Sequence, residues 1–149
     1  MSNWIVALTN MPAILPIWQS VINQDYLTTA CIGFVSFMSF VSHLVENHKH
    51  GMPGIGYTKN TLYVLNRLDV VGAVSTGLRF MYLYYVKFGF SVKGIIEHPY
   101  LAMGALIAFL LLRISEYDKY NVQLRTMYMI THSLWHVSIF VMMYYFLQL

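Results

Sequence analysis

At 149 residues, with 58% hydrophobic and only 10% charged side chains, the chain is too apolar for a soluble domain of its size, in which about 25% of residues are charged. A formal net charge of +3 comes without a Lys/Arg cluster dense enough to suggest a nucleic-acid partner, so none is expected, and the single Cys31 excludes an intramolecular disulfide and a Cys-rich metal site. The composition is that of an all-α, multi-pass integral membrane protein, one helical domain over residues 1–149 with room for about five spans of about 20 residues.

The first apolar run, residues 4–22, has no Lys or Arg before it and no small-residue cleavage site after it, so it is expected to be a retained span. Asn10, Pro12, Pro16 and Gln19 interrupt it. Prolines free backbone carbonyls that neighbours must satisfy, which predicts a kinked, protein-facing helix with a packing role. Asn23-Gln24-Asp25 reads as a tight turn.

A second helix is expected over residues 26–45, with Ser36, Ser39 and His43 at spacings of three and four. Such a polar stripe on an apolar cylinder faces protein, not lipid. Taken alone, the serines read as helix-packing residues and His43 as a headgroup-level histidine. Residues 46–60 form a polar connection in which His48 and His50 lie among glycines, too loosely held for a fixed ligand geometry, and read as solvated loop.

The third helix, residues 62–86, carries Asn66, Arg67, Asp69 and Arg79. Asp69 lies two turns inside it, where an unpaired carboxylate is expensive. Arg67 points to a different face, and Arg79 is ~15 Å further along the axis, so Asp69 needs a partner from another helix. The helix ends in an aromatic belt, Phe80 to Tyr85, followed by Lys87 and Lys93.

A fourth helix over 99–114 presents Gly104 and Ala108 as a small-residue packing face. Glu97 and His98 precede it on the membrane side away from the other polar motifs, and Arg113, Glu116, Asp118, Lys119 and Arg125 read as flanking charge around a short turn. The fifth, 124–149, contains Thr131-His132-Ser133-Leu134-Trp135-His136. Histidines four residues apart share one helix face and can reach one ion, and inside a span such a pair is costly unless used.

Alternating directions of travel put the end of the second helix on the same membrane side as the starts of the third and fifth. His43, Asp69 and His132 then lie within about three turns of one surface. Three imidazoles with an open fourth position form a catalytic zinc set that leaves room for a water of lowered pKa. His43, His132 and His136 supply the metal ligands; Asp69 is placed to take or orient a water proton, and Ser39 to donate to a developing oxyanion. That set suits hydrolysis of an amide or ester, with membrane lipid as the accessible substrate.

Ser39-x-x-x-His43, Asp69 within Arg67-Leu68-Asp69-Val70-Val71-Gly72-Ala73, and His132-x-x-x-His136 resemble the Ser, Asp and three-His signature of the CREST superfamily. That group comprises alkaline ceramidases, progestin and adipoQ receptors with the hemolysin-III proteins, and myomaker. The resemblance implies a Zn2+ site on His43, His132 and His136 with Asp69 and Ser39 beside it. It also implies seven spans where this chain has room for five; loss of two adjacent helices between Asp69 and His132 preserves every direction of travel. Two further readings stand beside the hydrolase: a non-enzymatic, myomaker-like membrane-remodelling or fusion protein with a structural zinc, and a bis-histidine haem protein that leaves Asp69 idle. Self-association is left open.

Overall fold

The computed structural model describes residues 4–47, 52–119 and 121–149, which are helical apart from their connections. The chain begins with a broken column: α1 (Trp4–Leu8), a 3-10 turn (Met11–Ala13) and α2 (Ile14–Ile22). At the break Thr9 donates its hydroxyl to the Val6 carbonyl at 2.6 Å, and Asn10 donates its side-chain amide to the Ala7 carbonyl at 3.2 Å. Polar side chains thus take up carbonyls that the interrupted ladder leaves open. The turn that follows puts Gln24 at φ 56°, and Asp25 caps α3 (Tyr26–Val45) by accepting the Thr28 amide.

Thr58 caps α4 (Lys59–Phe88), accepting the Thr61 amide. At 30 residues, α4 is ~45 Å long and runs antiparallel along α3. A polar ladder joins the two. Ser42 bonds Asn66, Ser39 bonds Asp69, and Thr76 donates to the Cys31 carbonyl. Arg79 reaches Thr28 and both oxygens of Asp25, each at 2.8 Å. Midway, a Cβ on Gly72 would come within 3.0 Å of the Val35 Cα. Positions 66, 69, 72, 76 and 79 share one helix face, so these polar side chains of α4 are turned toward α3.

The described residues form an all-α bundle, as expected. Among the described residues, four stretches are long and apolar enough to cross a membrane: Trp4–Ile22, Tyr26–Val45, Pro99–Lys119 and Thr126–Leu147. The protein is therefore a multi-pass membrane protein, and α4 is the polar rod packed against α3. The partner of Arg79, Asp25, was legible only as a turn residue. Partial burial by itself raises the Asp25 carboxyl, but the Thr28 hydroxyl and amide and the Arg79 guanidinium outweigh it and hold the group below the usual carboxylate range.

After α5 (Lys93–Glu97), α6 (Pro99–Lys119) and α7 (Arg125–Leu147) pack as an antiparallel pair, with Gly104 against Met142 and Ala108 buried. α6 runs five residues past the predicted end at 114. Its last turn is no simple charged flank: Arg113 and Glu116 form an exposed pair, but Asp118 is buried and accepts the Thr131 hydroxyl. α2 packs against both α3 and α7, and a core of Ala13, Ile32, Phe140, Met143 and Leu147 fills that junction. Between α4 on one side and α6 and α7 on the other, a cavity of about 870 Å3 opens, lined by aromatic and aliphatic side chains.

Candidate metal centre

At the other end of the bundle, the last turn of α3 meets the first turns of α7. His43, His132 and His136 are 5%, 9% and 2% exposed, and one ring nitrogen from each lies within 4.8 Å of the others. The imidazole centroids are 4.9 Å apart for His43 and His132, 5.4 Å for His43 and His136, and 4.7 Å for His132 and His136. A cluster of three buried imidazoles of this size can hold a metal ion. Tetrahedral coordination at ~2.0–2.1 Å sets nitrogens ~3.3 Å apart, a contraction within the reach of side-chain adjustment.

The surroundings assign the ring protons. Thr9 has one hydroxyl proton, and it goes to the Val6 carbonyl; the Thr9 oxygen 3.0 Å from Nδ1 of His136 must therefore accept, placing the proton on Nδ1. Ser115 repeats the arrangement, donating to the Leu112 carbonyl at 2.8 Å while its oxygen stands 3.2 Å from Nδ1 of His132. The Glu46 carboxylate stands 3.7 Å from Nδ1 of His43. On His132 and His136, Nδ1 thus faces a hydroxyl oxygen whose proton is committed, which makes Nε2 the lone-pair nitrogen; on His43 neither ring nitrogen has a hydrogen-bond partner among the described residues, and Glu46 marks the Nδ1 side. Outer oxygens of this kind orient metal-ligating histidines.

Asp69, half-buried on α4, hydrogen-bonds Ser39 and lies in electrostatic range of His43, Lys119 and Glu46. Ser39 is buried, and its oxygen is 3.3 Å from Nε2 of His136. The five residues singled out in the sequence therefore lie together at one end of the bundle. His98 packs on Phe88 and Tyr100 beside α5, away from the cluster. His48 and His50, read as loop, lie outside the described residues.

Four contributors were not foreseen. Thr9 sits at the break of the first column, to which the sequence assigned only packing; the kink swings its hydroxyl onto His136. Ser115 lay among residues read as flanking charge, and Glu46 was counted as the start of a loop although it is 2% exposed. Tyr128, one turn before His132, carries a signal in the sequence: 128, 132 and 136 share the four-residue spacing that marks the histidine pair.

No protein-family model matches the chain, and no solved structure matches it. A curated relative, the uncharacterized protein L282 of Acanthamoeba polyphaga mimivirus, is 52% identical over 148 residues, covering 99% of this chain and 97% of the relative. The all-α, multi-pass membrane protein described here, with its buried three-histidine cluster, belongs to the same family as that mimivirus protein.

Proposed function

We propose that the protein is a zinc-dependent intramembrane hydrolase of an amide- or ester-linked lipid, with His43, His132 and His136 as the zinc ligands and Asp69 and Ser39 as its catalytic residues. One observation carries the reading: a hydrogen-bonded carboxylate and hydroxyl, Asp69 and Ser39, lie beside three buried imidazoles, one ring nitrogen of each within 4.8 Å of the others. The all-nitrogen donor set suits zinc, and the Ser39, His43, Asp69, His132 and His136 pattern resembles that of the CREST superfamily.

Zinc, when bound, supplies Lewis acidity toward an oxygen ligand and a water of lowered pKa. The protein's own groups divide the remaining work. Were Nε2 of His136 taken up by an ion, the Ser39 proton would go to its other hydrogen-bond partner, the Asp69 carboxylate. Asp69 then takes the proton of the attacking water, and in doing so releases the Ser39 hydroxyl to donate to the oxyanion developing on the scissile carbonyl. Burial keeps bulk water from competing for these bonds.

The cavity between α4 and the α6–α7 pair supports a lipid substrate. Its Ile139 lies one turn from His136, and its walls are almost entirely apolar. The burial of the three histidines favours a second reading, a structural zinc in a membrane-remodelling protein. Purified, zinc-loaded protein given ceramide and acyl-ester lipids in mixed micelles separates the two. Fatty acid release that disappears in His136→Ala supports hydrolysis; stoichiometric zinc with no release from any of these lipids sinks it.

A further inference from the structure

Tyr128 is 5% exposed, and its ring lies 5.1 Å from the His132 imidazole, centroid to centroid. Its hydroxyl is fully buried and has no hydrogen-bond partner among the described residues, although Glu46 and Asp69 are both in electrostatic range. Buried tyrosine hydroxyls usually find an acceptor, and one that does not destabilises the fold around it. Phenylalanine would make the same ring contacts without that penalty. Within the folded protein alone, the hydroxyl contributes nothing visible.

Its surroundings indicate what it is suited to meet. The space beside the histidines is rich in acceptors, with the carboxylates of Asp69 and Glu46 both in range of the hydroxyl. Donors there are mostly committed: Ser39 to Asp69 or His136, Ser42 to Asn66, Thr9 to Val6 and Ser115 to Leu112. A carboxylate or acyl oxygen entering this space needs a neutral donor to offset Asp69 and Glu46. The Tyr128 O–H is a donor without an acceptor, on the same face of α7 as both ligand histidines.

We propose that the Tyr128 hydroxyl is a ligand-recognition donor of the three-histidine centre, hydrogen-bonding an acyl oxygen of the molecule that binds there. The inference rests on the acyl-lipid reading above and adds a specificity-determining residue to it. The test compares the parent with Tyr128→Phe, both as full chains in detergent, by zinc content, melting temperature without ligand, and calorimetric binding of laurate and of methyl laurate. The variant keeps its zinc, melts at the same or a higher temperature, and binds laurate about tenfold more weakly, the worth of one lost hydrogen bond. A parallel loss with methyl laurate identifies the acyl carbonyl as the partner; a loss confined to laurate identifies a free carboxylate. Equal laurate affinity in parent and variant overturns the inference and leaves the acyl-lipid reading standing. A fall in zinc content or in melting temperature also overturns it, since the hydroxyl would then serve the metal or the fold. If the parent binds neither compound, both readings fall together.

Discussion

Thr9 Oγ1 and His136 Nδ1 lie 3.0 Å apart across 127 residues of sequence, and the Thr9 proton is already given to Val6. The break in the first helical column therefore fixes the tautomer of a histidine in the last one. Thr9→Val keeps the shape and removes the acceptor; Ser115→Ala does the same for His132. Each is expected to weaken zinc binding by about 10- to 100-fold, the usual worth of an outer partner of a ligand histidine. Competition against a chelating dye measures this, and unchanged affinity in both variants would rule out the assignment of the protons.

Removal of a ligand goes further. His132→Ala and His136→Ala are each expected to lose the roughly one zinc per chain that the parent holds, since two imidazoles bind far less tightly than three at fixed geometry. His48→Ala and His50→Ala should leave metal content unchanged. Elemental analysis of the four purified variants decides it, and zinc lost from either of the last two would mean that the third ligand has been misplaced.

Why these histidines were legible while their supports were not follows from what membrane burial does to a sequence signal. A His pair or an Asp inside an apolar span stands out because hydrocarbon makes it expensive. Helix directions then carried His43, Asp69 and His132 to one surface without any knowledge of packing. Thr9 and Ser115 are hydroxyls of a kind that any span tolerates by bonding back to its own carbonyls, so nothing in the sequence distinguished their second, tertiary bond. The pairing of α4 with α3 was hidden for a related reason. Asn66, Asp69, Thr76 and Arg79 lower its apolarity, but each is answered by a residue of α3, and that register becomes visible only once the two helices are side by side.

The close approach of α3 and α4 at Gly72 supplies a test of that register. A methyl group there would meet the Val35 backbone at 3.0 Å, and a backbone cannot swing aside as a side chain can. Gly72→Ala is expected to destabilise the protein by about 1–3 kcal/mol, as overpacking does. Because Ser39 and His43 lie on the helix that is pushed away, zinc affinity should fall with it. Gly77→Ala is the control, since a Cβ there meets nothing within 4 Å. Equal melting temperatures and zinc affinities for the two variants would show that the helices are not in this register.

At the opposite end of the bundle, the Asp25–Arg79 pair makes stability depend on pH. The folded-state value of Asp25 lies below its unfolded value of about 3.9, so the folded protein holds this proton less tightly than the unfolded chain. The stabilisation is complete above about pH 4–5 and is lost as pH falls through the lower, folded value. Arg79→Met should lower stability at pH 7 by about 1–3 kcal/mol, the range for a charge-assisted bond with a partner left behind. It should also shallow the acid limb of the melting curve. A limb of unchanged steepness in the variant would place acid sensitivity elsewhere.

Asp69 is where the hydrolytic and structural readings diverge most. The Asn side chain keeps an oxygen that can accept from Ser39 but has no carboxylate to take a proton. If Asp69 acts as the general base, Asp69→Asn leaves zinc bound and the melting temperature close to that of the parent, and lowers turnover by ~10²- to 10⁴-fold. If the carboxylate serves only to balance charge near His43 and Lys119, melting temperature falls, and any activity falls only in proportion to the folded fraction. Zinc content, thermal melting and fatty acid release measured on one preparation therefore separate the roles. Parent-like values for all three would mean that the hydrogen-bonded Asp69–Ser39 pair belongs to neither.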